Sequence, residues 1–476
     1  MNKYKELGLK IGLEIHAQIE AGGKLFCRCP CVIKDSEPDF SVKRNLRVSA
    51  SELGEIDKAA MYELQKGKYF IYQGYNDANC LVELDESPPE ELNKEALGIA
   101  LQVSLLLKAK PVDVIQFMRK IVIDGSNVSG FQRTALIATN GQIDTSQDIV
   151  HIPTICLEEE SAKKVEDSGT YRVYNISRLC IPLIEIATAP DIKNPEHAKE
   201  TAEKIGMVLR SVKGMKRGLG TIRQDINLSI KGHPRVELKG FQDLRSIPKV
   251  VEHEISRQLE LLKQNKELKP EVRKVEDNFT TTFLRPMPGA DRMYPETDTG
   301  LIYITKELLK EIKVPELIAE KVESIEEKYN LSSELAREII KKEINLEKYL
   351  QEYKNLDAKT IARTLIEVPK EIKARFDLDA DRLQEKHFKE VFELLNTNRL
   401  QKAFILDAFV ELLRNGMIKT ERFSKASDAE VENTIKEIVG KNKGASFNAL
   451  MGEAMTKLKG KCDPKKIVEI IKKLSS

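Results

Sequence analysis

Lys10-Ile11-Gly12-Leu13-Glu14-Ile15-His16 alternates polar and apolar residues with a period of two, the pattern of a strand with one buried face. Glu14 and His16 sit two apart, so they project from the same side of that strand. One carboxylate and one imidazole on a shared face make half of a metal site; they equally make the polar side of an ordinary strand. Further acidic motifs repeat the theme: Leu157-Glu158-Glu159-Glu160-Ser161, Pro182-Leu183-Ile184-Glu185-Ile186, Arg223-Gln224-Asp225-Ile226-Asn227 and Val236-Glu237-Leu238-Lys239. With Asn227-Leu228-Ser229-Ile230, and turn signals such as Asp124-Gly125-Ser126-Asn127 and Lys231-Gly232-His233-Pro234, they describe a strand-rich N-terminal region. Helical spacing interrupts it over residues 195–212 and 248–262. Strands that do not alternate regularly with helices predict an α+β fold with a largely antiparallel sheet.

The chemistry follows from the same motifs. Glu185 has Ile181, Leu183, Ile184 and Ile186 around it, and a carboxylate in apolar company is costly unless a cation or donors meet it. In Glu158-Glu159-Glu160 an extended chain turns the outer two acids to one face and Glu159 to the other. Asp225 and Asn227 share a face, as do Glu237 and Lys239, whose amine could meet a phosphate or simply pair with Glu237. Carboxylates and one histidine converging in space suit a hard cation of the Mg²⁺ type, which often shares its shell with phosphates. A Gly-x-x-x-x-Gly-Lys-Ser/Thr loop and a Gly-x-Gly-x-x-Gly fingerprint are both absent, so any ATP is held by another kind of site. The basic stretch Lys213-Gly214-Met215-Lys216-Arg217-Gly218-Leu219-Gly220 is a candidate phosphate contact and also an ordinary flexible loop.

At 476 residues the chain exceeds one usual core. The character changes after Arg285-Pro286-Met287-Pro288-Gly289: amphipathic helix dominates to about residue 417, and a small helical unit follows. The predicted domains are 1–295, 296–417 and 418–476. Net charge is only +2, but residues 433–476 carry ten lysines against four acids, which favours a polyanion such as RNA and also describes a solvated helical tail. No apolar run is long enough to span a membrane, and the N-terminus lacks the apolar core of a signal peptide, so a cytosolic protein with no membrane association is expected. Seven cysteines do not form a secreted disulfide framework. Cys27, Cys29 and Cys31 alternate, so a strand there would put three sulfurs on one face, with Cys80 as a possible fourth zinc ligand; zinc sites more often show Cys-x-x-Cys pairs.

Longer segments carry a resemblance. Residues 12–16, Lys24-Leu25-Phe26-Cys27-Arg28-Cys29-Pro30, and residues 124–134, 157–162, 182–186, 236–240 and 285–298 resemble the GatB/GatE family of tRNA-dependent amidotransferases, specifically its archaeal branch, the GatE subunits of glutamyl-tRNA(Gln) amidotransferase. Residues 450–463 resemble the tail module shared with bacterial GatB. Two departures stand out. The inserted domain that GatE normally carries, similar to one in bacterial aspartyl-tRNA synthetases, is missing before Arg285, and the second cysteine pair of the bacterial zinc site is unmatched.

The resemblance implies a cradle-shaped catalytic domain that uses ATP and Mg²⁺ to phosphorylate the γ-carboxylate of glutamate on tRNA(Gln), followed by amidation with ammonia. The ammonia would come from GatD, an asparaginase-like partner, in a heterotetramer of two GatD and two GatE chains. Glu14, His16, Glu159, Glu185 and Glu237 match the metal and catalytic positions, and Asp225, Asn227 and Lys239 match flanking cofactor-binding positions. The helical and tail domains would hold tRNA. A GatB-type enzyme also acting on Asp-tRNA(Asn), and a tRNA-binding scaffold without catalysis, are the alternatives.

Overall fold

The computed structural model describes residues 2–48, 50, 54–264, 268–289, 292–420, 428–442, 446–458 and 464–475. Two compact units divide the chain, Met1–Ile318 and Ala319–Ser476. In chain order the strands of the first are β1 (Lys10–Gln18), β2 (Phe40–Arg44), β3 (Tyr69–Gly74), β4 (Lys110–Pro111), β5 (Val114–Ile115) and β6 (Met118–Ile121). The long hairpin β7 (Phe131–Asp144) and β8 (Ile149–Glu159) follows, then β9 (Lys163–Asp167), β10 (Tyr171–Asn175), β11 (Pro182–Ala187), β12 (Ile222–Ser229) and β13 (Val236–Lys239). Strands β14 (Glu271–Val275), β15 (Thr281–Pro286), β16 (Met293–Pro295) and β17 (Ile302–Tyr303) complete the series. Helices α1 (Asn2–Glu6), α2 (Lys58–Gln65), α3 (Lys94–Leu106), α4 (Pro195–Ser211), α5 (Ile247–Lys263) and α6 (Lys306–Glu311) accompany them.

The main sheet has eleven strands, in the order β15-β14-β13-β12-β1-β11-β8-β7-β6-β16, with β4 added beside β7. All its pairs are antiparallel except β13 with β14, as the sequence pattern predicted. A second sheet, β2-β3-β10-β9, has one parallel pair of its own, β3 with β10. Period-two alternation sorts the main sheet into two faces. Leu13, Ile15, Ile184, Ile186, Ile226 and Leu228 point into the core, where α3, α4 and α5 cover them with Ala100, Ile205, Leu209, Val251 and Ile255. Asn194 caps α4 by accepting from His197 N, and Pro195 opens its first turn, so the predicted helix starts where those residues dictate.

The polar face curls. Nine interstrand steps separate β15 from β16, which in a flat sheet is ~43 Å at ~4.8 Å per step. Only residues 287–292 join these two edge strands, and seven extended Cα steps reach at most ~25 Å. The edges must therefore approach each other. Helix α2 fills the gap between them: Tyr62 meets Phe283 of β15 edge to face, while Ala60 packs with Ile121 and Ile123, on the side of Tyr294. Asp57 caps α2 and also accepts from Gly289 N at 2.8 Å, fixing the joining segment to the helix.

The first unit ends at 318 and not at the expected 295, because later residues finish its core. Strand β16 pairs with β6 and β17 with β5, and Ile302, Leu308, Leu309, Ile312 and Leu317 pack on the main cluster. The second unit is helical: α7 (Ile318–Tyr329), α8 (Ser333–Lys341), α9 (Leu346–Glu352), α10 (Ala358–Phe376), α11 (Glu385–Asn396) and α12 (Ile405–Asn415), then α13 (Asp428–Lys441), α14 (Phe447–Lys457) and α15 (Pro464–Ser475). It holds two hydrophobic clusters, one through α8–α12 and one of Val431, Ile435, Ile438, Leu450, Ala454, Leu458, Ile467 and Ile471. Lys443, Lys459, Lys461, residues 460 and 462–463 of the tail motif, and residues 290–291 of the 285–298 motif lie outside the described residues. No described helix is long and apolar enough to cross a membrane.

Candidate active site

Strand register explains how scattered motifs meet. Glu14 lies opposite Asp225 across β1 and β12, and His16 lies opposite Glu185 across β1 and β11. Asn227 lies opposite Glu237, and Leu183, two residues from Glu185, lies opposite Glu158. Directly opposed residues share a face, so register and alternation put Glu237, Lys239, Asp225, Asn227, Glu14, His16, Glu185 and Glu158 on one side of the neighbouring strands β13, β12, β1, β11 and β8. That side floors a cleft of about 700 Å³.

The groups interlock by charge. His16 Nε2 stands 3.3 Å from Glu185 Oε2, 3.4 Å from Glu14 Oε1 and 3.8 Å from Glu158 Oε1. Burial alone would push the His16 pKa down, but the hydrogen bond to Glu185 and the charges of Glu185, Glu158 and Glu14 outweigh it and raise it to about 9. For Glu14, burial and then the Glu185 charge lift the carboxyl to about 7, against the pull of Lys239 and His16. Burial also opposes ionisation of Glu185, yet Lys120 and His16 hold it well below the usual carboxylate range. Lys239 pairs with both Asp225 and Glu237. Burial disfavours its ammonium, and Asp225, Glu237 and Glu14 more than restore it, raising its pKa. Glu237 is lowered in return: burial resists, Lys239 leads the opposing charges, and Arg285 and Arg292 add to them.

Three polar groups of the cleft, Lys120, Glu158 and Glu160, were not named as site residues from sequence. Lys120 Nζ, on β6, contacts Glu158 at 2.7 Å and Glu185 at 3.6 Å. Glu158 also accepts from Thr134 Oγ1 at 3.0 Å. Glu160 accepts from Gln18 Nε2 at 2.9 Å and from Arg223 Nη2 at 2.8 Å. Burial opposes the charge on Glu160, but Arg223 and Arg178 bring its carboxyl down to about 2. The signal for Glu158 and Glu160 was already in the alternation of the acidic run; Lys120 sits in Met118-Arg119-Lys120-Ile121, which offers no comparable pattern.

Glu159 is not among these groups. It points to the opposite face, where Arg133 Nη1 meets it at 3.3 Å and Arg133 Nε reaches Glu296 at 2.8 Å. The expectation that joined Glu159 to Glu14, His16, Glu185 and Glu237 is corrected accordingly: strand alternation turns it away, and Glu158 holds the facing position.

The cysteine expectation changes as well. Residues 24–31 form no strand, and Cys31 Sγ contacts the Gly23 carbonyl at 3.2 Å, away from the others. Cys27, Cys29 and Cys80 do gather, with Glu83 as the fourth neighbour. Glu83 is already held by Lys24 Nζ, both side chains being fully buried, and it accepts from Cys80 N at 2.8 Å. A site of four thiolates is therefore not what these residues build; a compact buried ion pair occupies the place of one ligand.

Residues 9–310 match the model of the GatB/GatE catalytic domain, and residues 344–474 match that of the GatB domain. The chain belongs to the GatB/GatE family. Among its relatives in that family, the GatE subunit of the glutamyl-tRNA(Gln) amidotransferase of Methanocaldococcus jannaschii is 38% identical, with 99% of each chain covered. The corresponding GatE of Methanosarcina acetivorans is 36% identical, over 99% of this chain and 98% of its own. The Methanocaldococcus jannaschii alignment runs over 622 positions for a chain of 476 residues, so at least 146 of them face a gap here. Since both chains are covered almost end to end, the lost GatE sequence is internal, in keeping with the missing inserted domain. The cleft lies wholly within the GatB/GatE catalytic domain.

Proposed function

We infer that this chain is the catalytic subunit, of the GatE type, of an ATP-dependent glutamyl-tRNA(Gln) amidotransferase. The observation that carries this is the cleft floor, where carboxylates, an imidazole and lysines from neighbouring strands face one space inside the family's catalytic domain. A carboxylate oxygen of the tRNA-linked glutamate attacks the γ-phosphorus of ATP and ADP leaves, forming an acyl phosphate; ammonia then attacks the acyl carbon and phosphate leaves, giving Gln-tRNA(Gln).

The donors fit Mg²⁺. Ligand atoms of Glu14, His16 and Glu185 lie within 4.8 Å of one another, as do those of Glu14, Asp225 and Glu237. This oxygen-rich pair of sets shares Glu14 and suits a hard cation better than a soft one. When bound, Mg²⁺ supplies charge neutralisation for the transferring phosphoryl group. Lys239 pairs with Asp225 and Glu237 and orients them, and Lys120 does the same for Glu158 and Glu185. Asn227, beside Glu237, offers an amide to a phosphate or ribose.

The chain has no recognisable amidase motif, so a separate asparaginase-like partner, GatD, would supply ammonia in the cytoplasm, in the two-plus-two assembly typical of GatE. Amidation of Glu-tRNA(Gln) with free ammonium and ATP needs no partner and tests the reading directly. Gln-tRNA(Gln) formation by the purified chain is expected. No product and no tRNA-dependent ATP hydrolysis would instead favour a binding scaffold, and equal use of Asp-tRNA(Asn) would favour a GatB-type enzyme.

A further inference from the structure

Most charged groups of the cleft answer one another: Lys239 answers Asp225 and Glu237, Lys120 answers Glu158, and Arg223 answers Glu160. Three guanidiniums lining the same cleft do not fit this pattern. Among the described residues, Arg235, Arg285 and Arg292 form no ion pair with any carboxylate. Arg235 donates only to the Met287 sulfur, at 2.9 and 3.1 Å, and a thioether is a weak acceptor. Arg285 Nε is buried with no hydrogen-bond partner. Buried donors in folded proteins are almost always satisfied, so this orphan, in a side chain that lines the cleft, points to an acceptor that arrives with a ligand.

Their origin sharpens the point. Arg235 immediately precedes β13, two strands inside the β15 edge, while Arg285 is the last residue but one of β15 and Arg292 immediately precedes β16, so the latter two come from the two edges that the curled sheet brings together. Arg285 and Arg292 lie within electrostatic reach of Glu237, and Arg292 within reach of Glu185 and Lys120. The arginines and the carboxylate floor thus address the same space from different sides. One substrate carboxylate occupies one guanidinium fork, whereas three guanidiniums call for an anion with several charged oxygens. A phosphate chain has those oxygens, and it is also the group to which a divalent cation on the facing carboxylates would bind.

We propose that Arg235, Arg285 and Arg292 form the wall of the cleft that binds the phosphate chain of a nucleoside triphosphate. The proposal rests on the amidotransferase reading, which brings the triphosphate to this cleft. An RNA backbone could offer similar oxygens, but its charges are spaced along a polymer, and these arginines converge beside the floor.

The test titrates the full chain by calorimetry with a non-hydrolysable ATP analogue plus Mg²⁺, with AMP, and with tRNA(Gln). Variants are Arg235→Ala, Arg285→Ala and Arg292→Ala, with the corresponding lysine variants. Each alanine variant should weaken triphosphate binding about tenfold or more, the scale of a lost charge-assisted fork, while AMP and tRNA affinities move less than about twofold. Lysine should restore only part, because it keeps the charge without the fork. Arg235 is exposed, so its replacement leaves the core untouched, and the lysine variant covers any folding failure of Arg285→Ala. Unchanged triphosphate affinity in all three positions overturns the proposal, as does a loss confined to tRNA binding. Wild-type chain that binds no triphosphate at all would remove the amidotransferase reading as well; wild-type binding with unaffected variants removes only this wall.

Discussion

Glu185 shows how one residue is fixed from several directions. Ile184 and Ile186 bury its strand, alternation turns its carboxylate into the cleft, and His16 and Lys120 keep it ionised. Glu185→Gln preserves shape and removes a charge, and Glu237→Gln does the same beside Lys239. Formation of phosphorylated Glu-tRNA should fall roughly 10²-fold or more in each, the scale of a lost cation clamp, while tRNA still binds. Near-normal phosphorylation in single-turnover assays would move the chemistry elsewhere. The same residues make metal binding depend on pH. Glu14 and His16 have raised pKa values, about 7 and about 9, so the metal-free folded state holds protons that the unfolded chain releases earlier. Their contribution to stability is complete below about pH 4.5 for Glu14 and 6.5 for His16, and it is lost as pH rises through 7 and 9. Mg²⁺ must displace those protons, so it should raise the melting temperature more at pH 9 than at pH 6. A metal effect that is flat with pH would contradict this proton competition. What sequence made legible at this scale was parity: Glu14 with His16, Asp225 with Asn227, Glu237 with Lys239. It also turned Glu159 away from its neighbours in the acidic run, and the family resemblance pointed to it regardless. Lys120 and the three arginines stayed invisible because their roles depend on which strands become neighbours.

Strands carry the same lesson one level up. The alternating runs identified β1, β11, β12 and β13 as strands, and the antiparallel character of the sheet followed from the lack of βα alternation. Their order, β13-β12-β1-β11-β8, could not be read, because long-range pairing is decided by packing between segments far apart in sequence. Behind the floor, the network of Arg133 with Glu159 and Glu296, and of Arg119 with Glu296, ties β7, β8, β6 and the chain just after β16 together. All three of Arg133, Glu159 and Glu296 are buried. Glu159→Ala should therefore destabilise the first unit by about 3 kcal/mol, since it strips one partner from a buried cation. Urea unfolding measures this, and the folded fraction should keep its Mg²⁺-dependent nucleotide binding. Intact stability with lost Mg²⁺ binding would return Glu159 to the cleft.

At the scale of the molecule, the change from strands to helices near residue 295 was legible, but the boundary was not. Strands β16 and β17 and helix α6 look like the start of the helical region and instead complete the first core. The tail encloses its own hydrophobic cluster, so it can be removed without opening another. Truncation before Asp428 should leave ATP-dependent phosphorylation and amidation with free ammonia intact and weaken tRNA binding, with a loss that shrinks as salt rises. Equal tRNA affinity for full-length and shortened chains at low salt would defeat that assignment. The segment that joins β15 to β16 carries a consequence of another kind, in the order of synthesis. A nascent chain released as far as residue 286 already carries every floor carboxylate, yet β6 still lacks its edge partner and β15 is not tied to it. Such an intermediate exposes two unpaired strand edges, which are templates for aggregation. The next nine residues to leave the ribosome, 287–295, pair the open edge of β6 and bring Met287 and Arg292 to the cleft, so that side of the pocket is created late.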